Sequence, residues 1–158
     1  DGYGIGGALQ KSELESIVRW VTDELPDDRP RHLLGIGEPG DLFAGVAAGA
    51  DTFDCVSPSR EARNSAVYSA TGRFNLVTSS NRRAFVPIEE DCDCYTCLHY
   101  TRAYLHHAFK AKEMIASTLA TVHNIRFIVR LVDRMRQAID AGEFEALRDD
   151  FLGRYYGA

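Results

Sequence analysis

The chain has 158 residues, 45% of them hydrophobic, which is enough to bury the core of one domain. Its formal net charge of −5 excludes a protein that coats nucleic acid through its overall charge, so any RNA contact needs a local basic patch. We see neither a secretory signal nor an apolar run of the about 18 residues that a transmembrane helix requires, and we therefore expect a soluble, cytoplasmic protein.

The first part of the chain alternates between apolar runs that predict strands and amphipathic stretches that predict helices. This alternation predicts a βαβαβ unit with a parallel sheet, and on pattern alone both a doubly wound sheet and a barrel remain open. The predicted elements are a strand end over 2–7, a helix over 12–24, a strand over 32–37, a helix over 41–48 and a strand over 52–56.

The pattern changes after residue 65. Residues 68–76 predict a hairpin with a glycine turn, and no helical period follows until after Cys97. We then expect a helix from Thr101 that includes Met114, and a long helix over 119–141 that ends at Gly142. A closing helix over Phe144, Leu147 and Phe151 completes the predicted elements.

A local cluster of cysteines is the strongest chemical signal in the sequence. Cys92, Cys94 and Cys97 lie within six positions, and His123 follows on the long helix. Three thiolates and one imidazole suit tetrahedral Zn²⁺, and four protein ligands leave no open position, so the site is expected to be structural. A disulfide is less favoured because three close cysteines leave one unpaired; a redox cluster or chance remain as alternatives.

A second signal follows the strand predicted over 52–56. Asp54 stands at its carboxyl end, ahead of a Pro-containing loop that carries Arg60 and Arg63. Asp54 could simply cap the next segment, and the arginines could be solvated surface charges. A strand-end carboxylate can instead act in catalysis, and two arginines three residues apart offer the bidentate forks that phosphate recognition uses.

Together these stretches resemble the bacterial-type tRNA-guanine transglycosylases. That family has the pattern Phe-Asp-Cys-Val-x-Pro-Thr-Arg, then Cys-x-Cys-x-x-Cys, then a zinc histidine on a following helix, and all three parts occur here in order. The resemblance implies the C-terminal part of a TIM (β/α)₈ barrel with an inserted zinc-binding subdomain and C-terminal helices. It assigns residues 1–65 to the last βα units of the barrel, 66–123 to the zinc subdomain and 124–158 to helices packed on the barrel.

The resemblance also implies an activity. Enzymes of this family are glycosyltransferases that exchange the wobble guanine of certain tRNAs for a 7-deazaguanine, preQ1 or queuine, in queuosine formation. Asp54 matches the nucleophile that forms a covalent bond to the ribose, and Gly6, Gly7, Ala8 and Leu34 match the base-binding positions. Arg60 and Arg63 are the expected tRNA contacts, while Cys92, Cys94, Cys97 and His123 match the zinc ligands.

The same resemblance predicts a homodimer, with Tyr104 and His107 at the interface. It leaves His99, His106 and His107 out of the metal site, because His123 already completes the ligand set at the family spacing. The family's general base and purine-gripping aspartates lie in an amino-terminal barrel half that this sequence does not contain. We therefore expect a fragment that is inactive by itself.

Several positions depart from the family pattern. Ser59 replaces threonine, Ser65 stands where glycine is usual, and Ala8 stands where leucine is usual. The stretch 8–13 is shorter than the family loop that helps select the incoming base, so the base accepted is left open. A non-catalytic RNA-binding or dimerisation subunit, and a related transglycosylase that acts on DNA, are the alternative functions; the presence of Asp54 counts against the first.

Overall fold

The computed structural model describes residues 1–7 and 13–157. Ala8 and the predicted helix start at residue 12 lie outside the described residues. The chain divides into two compact units, Asp1–Ser57 and Pro58–Ala158, and each is described by itself. The domain boundaries expected after residues 65 and 123 stay predictions.

The first unit is built on a parallel three-stranded sheet with strand order β1-β2-β3. The predicted parallel βαβαβ arrangement is thus confirmed. The strands end earlier than expected, and the second helix begins earlier because Pro39 is accommodated in its first turn, where no N–H is needed. The elements are β1 (Tyr3–Ile5), α1 (Leu14–Glu24), β2 (Arg31–Leu33), α2 (Pro39–Ala47) and β3 (Thr52–Phe53).

Apolar side chains from both helices cover this sheet. The periodic positions Leu14 and Val18 of α1 are buried against Ile5 and Leu33 of the strands. Thr22 is also buried, and its hydroxyl donates to the Ala48 carbonyl at 2.6 Å, which satisfies a polar group inside the unit. The helices thus pack on the sheet while the carboxyl ends of the strands lead into loops.

The second unit is mainly helical and contains one short antiparallel hairpin. The predicted hairpin is present, but its first strand lies at Ala66–Val67, just before the predicted range 68–76. Gly142 caps the long helix with φ 72° as expected. Two predictions were wrong: a short helix already contains Cys97, and Met114 begins the long helix. The elements are α3 (Ser57–Arg63), β4 (Ala66–Val67), β5 (Phe74–Asn75), a 3-10 helix (Ser79–Arg83), α4 (Tyr95–His99), α5 (Arg102–Lys110), α6 (Met114–Ala141) and α7 (Phe144–Tyr156).

Helix α6 is the central element of the second unit. Its length and a mean hydropathy of 1.2 would by themselves permit a membrane span. However, Leu119 and Ala120 belong to the core of this unit, and the polar His123 and Asn124 on the same helix are fully buried by protein. A core helix passes the same test of length and hydropathy, and the contacts of α6 identify it as one.

Ser65 has a left-handed backbone conformation, with φ 60°. A side chain in this region carries a steric cost that glycine avoids, which explains physically why the resembled family favours glycine here. The Ser65 hydroxyl donates within this turn, at 2.6 Å to the Asn64 carbonyl or 2.9 Å to the Asn75 side-chain oxygen. Local hydrogen bonding therefore offsets part of the strain.

Asn124 joins three backbone segments of the second unit. Its Oδ1 accepts from the Tyr68 N–H at 3.1 Å, and its Nδ2 donates to the carbonyls of Pro58 and Ala66, both at 3.0 Å. The Asn124 side chain is fully buried, so water cannot replace the hydrogen bonds that it makes to these backbone groups.

We expect Asn124→Ala to lower the free energy of unfolding by about 3 kcal/mol, because it leaves buried backbone groups unpaired. Urea denaturation of the zinc-loaded protein measures this. Thr118→Ala, an exposed position on the same helix, is the matched control and should stay within about 0.5 kcal/mol of the wild type. Similar losses for both variants would contradict the role assigned to Asn124.

Candidate functional site

The four predicted zinc ligands come together in the second unit. One ligand atom from each of Cys92, Cys94, Cys97 and His123 can be chosen so that all lie within 4.8 Å of one another. Cys94 also caps α4, since its sulfur accepts the Cys97 N–H at 3.3 Å. The loop, α4 and α6 thus present three sulfurs and one nitrogen to a common point.

A second hydrogen bond fixes the direction of the histidine ring. His123 is fully buried, and its Nε2 donates to the Tyr68 carbonyl at 2.8 Å. Nδ1 therefore carries the lone pair, and it faces the sulfurs of Cys92, Cys94 and Cys97 at 3.6, 3.8 and 3.3 Å. In zinc sites, a ligating histidine usually donates its other ring N–H to an acceptor such as a backbone carbonyl, which fixes the orientation of the ring.

The pKa values of the clustered thiols shift in opposite directions. Hydrogen bonds from Cys92 and Cys97 lower the pKa of Cys94 to about 3. Hydrogen bonds with Cys92 and Cys94, followed by burial, raise the pKa of Cys97. Zinc supplies the positive charge that lets several thiolates coexist, and the donor set fits it. The cluster is a structural zinc site, one per chain.

Charged groups tie the cysteine loop to α6. Arg126 makes a bidentate contact with Asp93, at 2.8 and 2.6 Å, and Arg130 donates to the Asp91 carbonyl at 2.7 Å. The hydrogen bond from Arg126 lowers the pKa of Asp93 to about 2. These contacts orient the loop that carries Cys92 and Cys94.

The other histidines of the second unit stand apart from this cluster. The Nδ1 of His106 is 2.9 Å from the Leu76 carbonyl, and His99 packs against the Tyr95 ring with centroids 4.6 Å apart. Neither is part of the group of metal-ligating side chains found among the described residues.

Asp54 lies just beyond the carboxyl end of β3 in the first unit. Its Oδ1 accepts from the Gly35 N–H at 3.2 Å and from His32 Nε2 at 3.1 Å. The Gly35 N–H, followed by the His32 hydrogen bond, lowers the pKa of Asp54, so the carboxylate is ionised at neutral pH. The side chain is 58% exposed, which leaves it accessible to a ligand.

The ends of the two other strands of this unit carry further predicted site residues. Gly6 follows β1 and Leu34 follows β2, and a side chain on Gly6 would come within 2.8 Å of Leu34 Cδ1. Leu34 is nevertheless 49% exposed, so it covers Gly6 and presents an apolar surface to solvent. Gly7 has φ 128°, which only glycine adopts readily. Ala8 falls outside the described residues.

Close packing also fixes the backbone beside Asp54. Gly37 is buried, and a side chain there would collide with the sulfur of Cys55. The Cys55 sulfur in turn accepts the Ser57 N–H at 3.1 Å. Cys55, which directly follows the carboxylate, is thus held on both sides.

Arg60 and Arg63 belong to α3 and are both exposed. Neither guanidinium forms an ion pair with a carboxylate of residues 1–7 or 13–157. Their spacing of three residues places them on neighbouring positions of one helical face. Both guanidinium groups are therefore accessible to an external anion, and their role as tRNA contacts stays a prediction.

The sequence interpretation missed His32. β2 and β3 pair in parallel with His32 opposite Thr52, and side chains two apart on a strand share a face. His32 and Leu34 therefore point the same way as Thr52 and Asp54. Recognising this required the register, which the sequence alone did not supply.

A family model described as queuine tRNA-ribosyltransferase matches residues 1–157. The chain belongs to this family. A relative of that name from Caldanaerobacter subterraneus subsp. tengcongensis is 45% identical over 99% of this chain, and one from Desulforudis audaxviator is 44% identical over 96%. The chain spans 42% and 41% of the length of these two relatives.

We expect Cys94→Ala to release the zinc and to increase amide exchange across residues 85–125, because binding energy at such a site is folding energy. Metal analysis of protein purified without chelator, together with hydrogen exchange, measures both effects. Cys55→Ala is the matched control and should keep one zinc per chain, since Cys55 lies outside the cluster. A wild-type protein without stoichiometric zinc would refute the assignment.

Proposed function

We propose that this segment, within a protein of its relatives' full length, catalyses tRNA-guanine transglycosylation with Asp54 as the nucleophile. The observation that carries the proposal is the ionised, exposed carboxylate of Asp54 at a parallel strand end, in a chain of this family. The relatives' name, queuine tRNA-ribosyltransferase, supports a tRNA substrate and a 7-deazaguanine base. We refer below to such a protein as the full-length enzyme.

The proposed reaction is a double displacement at the ribose C1′. An oxygen of Asp54 bonds to C1′ as the C1′–N9 bond breaks, and guanine leaves with the electron pair and takes up a proton. The incoming base then loses a proton and attacks C1′, which breaks the ester-like bond to Asp54. A carboxylate suits both steps, because it attacks an oxocarbenium-like carbon and is also a competent leaving group.

Gly6, Gly7, Ala8 and Leu34 form the proposed base site. Among the described residues no heavy atom lies within 4 Å of a side-chain position on Gly7, so a flat ring can approach its backbone. Gly6 leaves room for Leu34, whose exposed face offers an apolar surface to that ring. Reaching this site requires the target base to leave its stack, as base-modifying enzymes demand.

We further propose that β1, β2 and β3 are consecutive strands of a (β/α)₈ barrel. Among the described residues, β1 and β3 each pair on one side only, so both edges of the sheet can accept further parallel strands. The site residues Gly6, Leu34 and Asp54 follow strand carboxyl ends, where barrel enzymes place their active sites. The missing strands would come from the part of the relatives that this chain does not span.

The proposed partners are the anticodon loop of tRNA and a second copy of the chain. For the homodimer, α4, α5 and the connection between them display a row of aromatic rings: the ring centroid of Tyr100 lies 5.9 Å from that of Tyr95 and 5.0 Å from that of Tyr104. Tyr104 is 41% exposed and His107 is exposed on the same helix, as an interface requires. We place the full-length enzyme in the cytoplasm, where tRNA is modified and thiols stay reduced.

We expect the full-length enzyme to form a covalent adduct between Asp54 and tRNA that survives denaturing electrophoresis when the incoming base is withheld. Asp54→Asn should abolish both the adduct and guanine exchange, because an amide is a poor nucleophile. Its tRNA affinity should stay within about threefold, since phosphate contacts dominate binding.

An adduct that persists in Asp54→Asn would refute the nucleophile assignment and point to another carboxylate. An adduct formed with a DNA stem-loop and not with tRNA would instead identify a DNA transglycosylase. Binding of tRNA without any adduct or exchange in the wild type would identify the non-catalytic subunit.

Arg60 and Arg63 are the proposed contacts to the phosphates of tRNA. Replacing both Arg60 and Arg63 with alanine in the full-length enzyme should weaken tRNA binding and reduce the salt dependence by up to about two phosphate contacts. Filter binding at several salt concentrations measures the slope. The control is alanine at both Arg148 and Arg154, whose guanidinium groups already pair with Glu145 and Asp150. An unchanged slope for the first pair would place the RNA contact elsewhere.

A further inference from the structure

His32 bridges two residues of the neighbouring strand. Its Nδ1 lies 2.7 Å from the Thr52 hydroxyl, and its Nε2 lies 3.1 Å from Oδ1 of Asp54. Parallel pairing of β2 with β3 sets His32 opposite Thr52 and brings the ring alongside Asp54, two residues further on. Both contacts lie within the first unit and arise from regular strand geometry.

The Asp54 carboxylate, as the hydrogen-bond acceptor, determines the tautomer of the His32 ring. An ionised carboxylate only accepts hydrogen bonds, so Nε2 of His32 must carry the hydrogen that points at Oδ1. In the neutral ring Nδ1 then has a lone pair, and the Thr52 hydroxyl donates to it. If the ring becomes protonated, the hydroxyl turns and accepts instead, and the contact with Asp54 is kept in both states.

The two oxygens of Asp54 are unequal. Oδ1 takes both donors, the His32 Nε2–H and the Gly35 N–H at 3.2 Å. In the part of the chain that the structure describes, no side chain or backbone N–H donates to Oδ2. Two donors on one atom fix the carboxylate plane and draw charge to Oδ1, while Oδ2 keeps its lone pairs on a side chain that is 58% exposed.

We propose that His32 is a positioning residue that, with Gly35, anchors Oδ1 of Asp54 and so makes Oδ2 the atom that attacks the ribose C1′. The inference rests on the proposed function of Asp54. The bond that forms joins Oδ2 to C1′, and the bond that breaks joins C1′ to N9 of guanine. His32 neither gains nor loses a proton in this step. Its contribution is orientation, which holds the reacting oxygen in the attacking geometry.

The discriminating experiment is single-turnover adduct formation by the full-length enzyme. His32→Phe keeps a ring of similar shape but removes the donor, and we expect adduct formation about tenfold slower, equivalent to one lost hydrogen bond. Binding of tRNA should change less than about twofold, since no phosphate contact is lost. His32→Gln restores an N–H near Oδ1 and should recover to within about threefold of the wild type.

A pH profile separates positioning from simple packing. The His32 hydrogen bond is one of the causes that lower the pKa of Asp54. Removing it raises that pKa, so the acid limb of adduct formation should move to higher pH in His32→Phe and remain near its wild-type position in His32→Gln. A change in packing alone would slow both variants and leave the limb where it was.

Thr52 provides an independent pair of variants if His32→Phe fails to fold. Thr52→Val removes the hydroxyl at constant shape and should slow adduct formation about threefold, because the ring is less firmly oriented. Thr52→Ser keeps the hydroxyl and should match the wild type. Equal rates for the two variants would contradict the role of Thr52 in holding His32.

The outcomes separate this inference from the proposed function. If Asp54→Asn abolishes the adduct while His32→Phe forms it at the wild-type rate with an unmoved acid limb, only the role of His32 is overturned. If Asp54→Asn still forms the adduct, the proposed function itself fails. A structure of the trapped adduct should show C1′ on the oxygen that His32 does not contact; a bond to the contacted oxygen would overturn the inference.

Discussion

The contact between His123 and the Tyr68 carbonyl is the interaction on which the second unit depends. It fixes the imidazole so that Nδ1 faces three sulfurs, and it joins the hairpin region to α6 through a fully buried ring. Asn124, the next residue, bonds the Tyr68 N–H as well. Neighbouring side chains on one helix thus hold both backbone groups of one residue. The zinc ligands can converge because that backbone is already fixed.

The first unit depends on a different constraint, the parallel register of its strands. Because His32 pairs with Thr52, the residues that follow each strand emerge at the same edge of the sheet. Gly6, Leu34 and Asp54 are far apart in sequence, and this register places each of them just beyond the carboxyl end of its strand on one edge of the sheet. The helices that pack on the sheet stabilise this register, because a slip of β2 by one residue would turn Leu33 away from the core that they form with the sheet.

Prediction from the sequence succeeded where the signal was local. The cysteine spacing, the helix cap at Gly142 and the strand–helix alternation are each encoded within a few residues. The short helix α4 was missed because its five residues carry no helical period, and capping by the Cys94 sulfur supports it. The role of His32 was missed because it depends on pairing with a residue twenty positions away. The motif shows that Ser65 stands where the family usually has glycine, but only the structure shows that this position has a left-handed φ, which glycine adopts more readily.

The zinc cluster and Asp54 differ in the number of ligand or hydrogen-bonding positions that the chain itself satisfies. At the cluster both ring nitrogens of His123 are engaged, one by a carbonyl and one facing the sulfurs, and nothing is left over for a substrate. At Asp54 two donors converge on a single oxygen, and the other oxygen of an exposed carboxylate stays available. Hydrogen bonds to the charged form stabilise both sites. Saturation suits the first site to a structural role, whereas the unsatisfied oxygen of the second is what the proposed covalent step requires.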